Sequence, residues 1–250
     1  MGEGIQWLRR LLEHAGYVAH RWPTTRFDGM GDALTLMGRR GYHPRVIIDC
    51  GANVGQWMTL ASRVFPDAAW HLIEPQPACV LALRILSAAR ENVTIHPMAV
   101  SSPGTAVVTM LGGGEGTGTG TGNFVALPGE TFSDQRVLEA TTLDRLLAHR
   151  LQPSDRTLLK LDVEQHEIEV LKGAERVLPS IEVVLTEVSI YDVDGRRPTF
   201  GDVFEYLGSR GFEFYDVACL SGRRRDQRLR QADVLFARSG SALLADRDWA

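Results

Sequence analysis

Acidic residues recur at the ends of apolar runs in this chain. Asp49 follows Val46, Ile47 and Ile48, Glu74 follows AWHLI, Asp162 and Glu164 follow TLLKL, and Glu187 lies in EVVLTEVS. A carboxylate at the carboxyl end of a buried parallel strand faces the crevice where α/β proteins bind ligands, where it can accept hydroxyl hydrogens, attract a cation or take a proton. His166, two residues beyond Glu164, adds an imidazole whose ordinary pKa of about 6.5 suits proton transfer near neutrality. Its bland alternative is a surface helix residue.

The elements that must position these groups start from VIIDCGANVGQW, residues 46 to 57. A β-branched run without polar alternation reads as a strand buried on both faces. Gly51 and Gly55 permit a tight turn, and Gln56 to Phe65 resume at helical spacing through Trp57, Leu60, Ala61 and Val64. Glu74 lies 19 residues beyond Gly55, where nucleotide-binding α/β units carry the acid that bonds ribose hydroxyls. A dinucleotide turn would read G-x-G-x-x-G, but here Asn53 occupies the second glycine position and Asp49 stands just before the turn. An acid there gains little from a pyrophosphate and attracts a ligand bearing an ammonium and a sulfonium, which S-adenosylmethionine does.

The strings DCGANVGQ, IEPQP and LLKLDVEQHEIEVLKGA, in that order, resemble the FkbM-type family of S-adenosylmethionine-dependent methyltransferases. The likeness runs from about Val46 to Phe236. It implies a Rossmann-like class I methyltransferase fold: a doubly wound α/β domain with a mostly parallel seven-stranded sheet and a terminal antiparallel hairpin. The cofactor residues it implies are Asp49, Gly51, Asn53, Gly55, Gln56, Glu74, Pro75, Ala99, Val100 and Asp162. Of these, Ala99 and Val100 would sit where the family's third strand passes the adenine, and Asp162 would lie nearest the methyl end, orienting donor or acceptor. The departure is Gln165, where the family has Gly.

Methyl transfer from a sulfonium is an in-line displacement in which the protein aligns the partners and, for a hydroxyl nucleophile, takes a proton. Asp162, Glu164, His166 and Glu187 are the catalytic candidates. Glu164 and His166 are the candidate proton acceptors, whereas Glu187 either holds an acceptor hydroxyl or caps a neighbouring helix. Lys160, within its strand, reads as structural. Asp162, Glu164, Glu187, Asp192 and Asp194 supply oxygens enough for a divalent cation but form no tight ligand motif, and no metal is expected. The resemblance points to O-methylation of a hydroxyl on a sugar or secondary metabolite. A nicotinamide-dependent oxidoreductase and a non-catalytic nucleoside-binding module are the alternatives.

Composition bounds the rest. At 250 residues, 44% of them hydrophobic, one α/β core suffices, divided into an N-terminal helical cap over 1–44, a catalytic core over 45–238 and a tail over 239–250. A net charge of -4 argues against nucleic acid as a partner. Cys50, Cys79 and Cys219 show no paired spacing, which fits a reducing compartment. Without a long apolar run or a signal-peptide pattern, no membrane partner is expected and a cytoplasmic location is.

Along the chain, residues 4 to 20 read as an amphipathic helix covering the sheet, with a cap over the cofactor mouth or a homodimer contact as its alternatives. RWPTTRFDGMG reads as a loop and DALTLMGRRGYHP as a short helix. VTIHPMAVSS reads as one strand. The glycine and threonine tract at 112–123 reads either as a hairpin tip between TAVVTML and NFVAL or as a flap over the acceptor. ATTLDRLLAHR is a helix capped by Thr141 or Thr142 with Leu143, Leu146 and Leu147 facing in, EIEVLKGAERVL is a helix ending near Pro179, and Thr199 caps another ending at Gly211. FEFYDVACL and QADVLFAR form the closing antiparallel pair around the basic turn GRRRDQRLR.

Overall fold

The computed structural model describes residues 26–111, 124–127, 130, 135–192, 195, 197–223, 225–246 and 248, together with 11, 12, 14 and 15. Most of the expected N-terminal helix, the whole Gly/Thr tract and Asp194 lie outside the described residues.

The chain forms a seven-stranded sheet built from β1 (Val46–Cys50), β2 (Ala69–Ile73), β3 (Val93–His96), β8 (Thr157–Leu161), β9 (Ile181–Ser189), β10 (Phe212–Gly222) and β11 (Leu229–Arg238). Their spatial order is β10-β11-β9-β8-β1-β2-β3. β1 pairs in parallel with β2 and β8, β2 with β3, and β8 with β9, while β11 is antiparallel to both β9 and β10. The order turns back between β1 and β8, the switch point at which doubly wound sheets open a ligand crevice.

Strand alternation sends successive side chains to opposite faces. Ile48, Cys50, Leu159, Leu161 and Val184 face one layer of helices: α4 (Leu143–Leu147), α5 (Glu167–Lys172) and α6 (Phe200–Gly208). Ile47, Leu158, Leu72 and Trp70 face the other, where Met30, Leu34 and Met37 of α1 (Arg26–Arg39) and Trp57 and Met58 of α2 (Gln56–Ala61) cover them. α3 (Pro77–Leu86) links β2 to β3.

Some elements depart from the sequence expectation. The stretch Arg26–Gly31 is the start of α1 rather than loop. Its glycines serve close packing: a Cβ on Gly29 would lie 2.8 Å from the Ala218 carbonyl oxygen of β10, and one on Gly31 3.2 Å from Leu60. The single strand expected over VTIHPMAVSS is broken at Pro97, where Met98 N–H bonds back to the His96 carbonyl. Beyond the break, β4 (Ala99–Val100) leaves the main sheet and pairs with β7 (Gln135–Thr141). β7 also pairs with β5 (Val107–Leu111), which meets β6 (Phe124–Val125), making a four-stranded second sheet beside the crevice. The helix expected through residue 178 is α-helical only over Glu167–Lys172, because at Gly173 the chain closes onto β4: a Cβ there would lie 2.1 Å from the Ser101 carbonyl oxygen. Thr142, not Thr141, caps α4 by accepting the Arg145 N–H.

Candidate active site

The turn after β1 is shaped by three residues in left-handed conformation: Gly51 (φ 80°), Asn53 (φ 48°) and Gly55 (φ 82°). Asn tolerates this region better than most residues, so Asn53 keeps the backbone path that a glycine would take. Gly51 has a second constraint, since a Cβ would lie 2.0 Å from the Asp162 carbonyl oxygen of the neighbouring strand end. The N–H groups of the turn are already used. Those of Gly51 and Ala52 bond to the Ile73 carbonyl, Gly55 to the Ala52 carbonyl, Asn53 to Glu74 Oε2 at 2.9 Å and Val54 to Asn53 Oδ1 at 2.7 Å. A pyrophosphate is held by backbone N–H groups aimed outward, and this turn has turned its own inward.

Around the turn opens a cleft of about 1000 Å³, part of it open to solvent. Gly51, Asn53, Gln56, Glu74, Pro75, Ala99, Val100, Asp162, Glu164 and His166 all line it. Asp49 lies beneath as a fully buried side chain, and Gly55 shapes the turn without lining the cleft. Glu187 is elsewhere: buried within β9, it accepts a hydrogen bond from Gln231 Nε2 of β11 at 2.8 Å. Val108 and Met110 of β5 and Val125 of β6 form an apolar wall that no sequence pattern had tied to the site.

Glu74 is held from both sides, its Oε2 by Asn53 N–H and its Oε1 by Gln76 N–H, each at 2.9 Å. Burial raises its pKa while these two bonds pull it down. Each oxygen keeps lone-pair capacity for a further donor such as a ribose hydroxyl.

The largest surprise is Lys160. In the β1–β8 register Asp49 sits directly beside Lys160, on the same sheet face. The buried ammonium lies 3.1 Å from Asp49 Oδ1, 3.3 Å from Asp162 Oδ2 and 5.5 Å from the centre of the Trp57 ring. Two carboxylates thus share one cation, leaving an excess of negative charge when both are ionised. Burial raises the Asp49 pKa and Lys160 opposes the rise. Asp49 Oδ2 is buried without a hydrogen-bond partner among the described residues. An unfilled acceptor beside excess negative charge fits a cationic ligand such as S-adenosylmethionine.

Beyond Asp162 the chain passes through two non-glycine residues of positive φ, Glu164 (φ 53°) and Gln165 (φ 71°). That explains glycine at the second position in the resemblance motif and shows that Gln165 takes the glycine conformation without glycine. The excursion is pinned by buried Glu167, which accepts the Val163 N–H at 3.3 Å and the Gln165 N–H at 3.2 Å. Burial pushes the Glu167 carboxyl up to about 8. His166 emerges from this bend with Nε2 2.9 Å from Ser101 Oγ, and burial holds its pKa below the ordinary value.

Behind His166 lies a second, shallower cleft of roughly 1410 Å³ of open space, bordered by Glu169, Arg197, Thr199, Glu205 and Tyr206. Among the described residues, His166 alone lines both clefts. Also among the described residues, no group of three or more His, Cys, Asp or Glu side chains is placed to hold a metal ion, and no helix is long and apolar enough to cross a membrane.

The sheet order, the turn after β1 and the acid after β2 define a class I nucleoside-cofactor domain. Residues 49–214 match the methyltransferase FkbM domain, and the chain belongs to that family of S-adenosylmethionine-dependent methyltransferases. It is 25% identical over 198 residues to the hexuronic acid methyltransferase AglP of Haloferax volcanii, a match covering 71% of this chain and 73% of that protein. Among solved structures it is similar to magnesium protoporphyrin IX methyltransferase of Synechocystis PCC 6803, with a TM-score of 0.49, 11% identity and coverage of 95% and 92% of the two chains. A second similar structure is the 1,6-didemethyltoxoflavin-N1-methyltransferase of Burkholderia thailandensis, with a TM-score of 0.46, 12% identity and coverage of 84% and 78%.

Proposed function

We propose that this methyltransferase methylates a hydroxyl oxygen of a sugar or related small metabolite. In this reading the first cleft holds the methyl donor and the second admits the acceptor. The observation that carries the reading is the position of His166, which stands where the two clefts meet. Bound S-adenosylmethionine supplies an electrophilic methyl carbon on a sulfonium. Gly51, Asn53 and Glu74 shape its nucleoside end, and the Asp49–Lys160–Asp162 cluster provides the negative surroundings that suit its cationic end. Asp162 orients the reacting groups, and His166 takes the acceptor proton. A hydroxyl is a poor nucleophile until its proton has somewhere to go, and an imidazole held neutral by burial is ready to receive it. Polar side chains of the second cleft, among them Glu169, Arg197, Thr199 and Glu205, offer donors and acceptors in the mixture that a polyhydroxylated ligand uses. The similarity to a protein named as a hexuronic acid methyltransferase supports a saccharide acceptor.

The test is transfer of labelled methyl from S-adenosylmethionine to a panel of monosaccharides, uronic acids, nucleotide sugars, phenols and amines. Label in alkali-stable ether linkage on a saccharide is expected, with His166→Ala lowering the rate about 100-fold while S-adenosylhomocysteine still binds. Methylation of amines alone, or a full rate in the His166 variant, would overturn the assignment.

A further inference from the structure

The basic turn GRRRDQRLR joins the arms of the closing hairpin and lines neither cleft, yet it stands beside one of them. Residues 222–230 hold five arginines and one aspartate in a chain whose net charge is -4, so positive charge is concentrated there. Its place in the fold gives that charge a direction. β11 runs antiparallel to β9 with Gln231 opposite Ser189, the last residue of β9, so the turn lies beyond the carboxyl end of the sheet, the end at which both clefts open.

The turn is braced on a tyrosine. The guanidinium carbons of Arg223 and Arg228 lie 5.8 and 4.6 Å from the centre of the Tyr191 ring, and the Arg223 N–H bonds to the Arg228 carbonyl at 2.8 Å. Asp226 pairs with Arg223, whereas Arg225 approaches it only to 3.7 Å and has 76% of its side chain exposed. One aspartate does not neutralise this turn. Tyr191 precedes Asp192, which borders the second cleft and accepts the Arg197 N–H at 3.2 Å, so the arginines stand at the rim of that cleft.

The cleft itself has the opposite sign. Glu169, Asp192, Asp202 and Glu205 border it against Arg197 and Arg210. Arg197 is joined to Glu130 at 3.1 Å and Arg210 to Glu175 at 2.7 Å, while Lys172 offsets only Glu169. An anionic group is therefore repelled inside and attracted at the rim, and a neutral hydroxyl-bearing portion suits the donors and acceptors within. A guanidinium fork matches phosphate oxygens bidentately, and a phosphate ester or diphosphate presents several such oxygens to arginines set together. We propose that the acceptor is a sugar carried on a phosphate or diphosphate, with the sugar in the second cleft and its phosphate at Arg225 and Arg228. The sugar half of this inference rests on the methyl-transfer reading; the anion site does not.

The test is calorimetric titration of the protein loaded with S-adenosylhomocysteine, at low salt, with inorganic pyrophosphate, UDP-glucose, glucose and vesicles of anionic phospholipid. Pyrophosphate and UDP-glucose should both bind, and both should weaken about tenfold in the Arg225→Gln/Arg228→Gln double variant, with affinity for S-adenosylhomocysteine unchanged. Arg90→Gln, exposed before β3 at the opposite end of the sheet, should bind as wild type does. In transfer assays a phosphorylated acceptor should exceed its free sugar about tenfold in kcat/KM, through KM, and the double variant should erase that difference. Silence from pyrophosphate, binding that persists in the double variant, or equal loss in Arg90→Gln would overturn the proposal. Binding to vesicles alone would overturn it too, making the turn a membrane contact. Pyrophosphate binding in a protein that methylates no saccharide would instead sink the methyl-transfer reading and leave the anion site standing.

Discussion

The buried groups of the cleft make pH and charge visible in stability. Glu167 has a folded-state pKa of about 8 against about 4.3 in an unfolded chain. A carboxyl whose pKa is raised by folding contributes stability that is complete below about pH 4.3 and is lost as pH rises through about 8. Glu167→Gln keeps an oxygen to accept the Val163 and Gln165 N–H groups but has no proton to lose. We expect the variant to match wild type at pH 5 and to melt several degrees higher at pH 8.5. Equal melting curves at both values would show that the carboxyl is not shifted. Lys160→Met removes the cation shared by Asp49 and Asp162 and leaves Asp49 buried without it, a loss of about 3–5 kcal/mol. Because burial raises the Asp49 pKa, the penalty should shrink as pH falls and that carboxyl protonates. Urea unfolding at the two pH values checks both magnitude and trend. Asp49 and Asp162 were legible in the sequence as strand-end acids, but Lys160 was not, because its meaning depends on the β1–β8 register that sets it beside Asp49. Only a lysine inside an otherwise apolar strand hinted at it.

Elements matter here through their points of closest approach. The turn after β1 and the end of β8 meet at Gly51, where a methyl group would lie 2.0 Å from a carbonyl oxygen and the backbone already has φ 80°. Gly51→Ala should cost about 3 kcal/mol or more and abolish binding of S-adenosylhomocysteine; a well-folded variant that still binds would show that the two strand ends can separate cheaply. The bend after β8 carries the opposite case. Gln165 holds φ 71° as a non-glycine residue, so Gln165→Gly relieves strain of about 1 kcal/mol, partly offset by the freer unfolded chain. Denaturant melts should show a change between zero and about 1 kcal/mol in favour of the variant. A clear destabilisation would mean that the Gln165 side chain, which borders the second cleft, makes contacts worth more than its strain. The parallel core was readable because β1, β8 and β9 are apolar runs buried on both faces, and the closing hairpin because FEFYDVACL and QADVLFAR flank a basic turn, although of its arms only β11 is largely buried and β10 is mostly half-buried or exposed. The second sheet was not. Polar β7 has little to bury, Val137 being 65% exposed, and no apolar run marked the separation of β4 from β3 at Pro97. Ser101 depends on that separation, which is why its partnership with His166 could not be read from spacing.

At the scale of the whole molecule, donor and acceptor binding are, in the proposed reading, divided between two clefts at different parts of the sheet edge. The first lies over β1, β2 and β8, and the second is bounded by α5, α6 and the loop before α6, with His166 between them. Ligand linkage can separate these parts without an acceptor in hand. A ligand present at about 100 times its Kd stabilises the folded state by about 2.7 kcal/mol, which for a chain of this length is a rise of roughly 5–10 °C in Tm. S-adenosylhomocysteine should give such a shift, and NAD⁺ and NADP⁺ should give none, because the N–H groups of residues 51–55 are already bonded within the protein. Glu74→Ala removes the carboxylate that ties the turn to β2 and leaves the Asn53 and Gln76 N–H groups without their acceptor, so it should lower the unliganded Tm and erase the ligand shift together. His166→Ala should keep the shift while its rate falls about 100-fold, because the residue does not belong to the turn after β1. A Glu74 variant with an undiminished shift would move the nucleoside contact away from β2, whereas a shift lost in the His166 variant would mean that the two clefts do not divide the ligands at that residue.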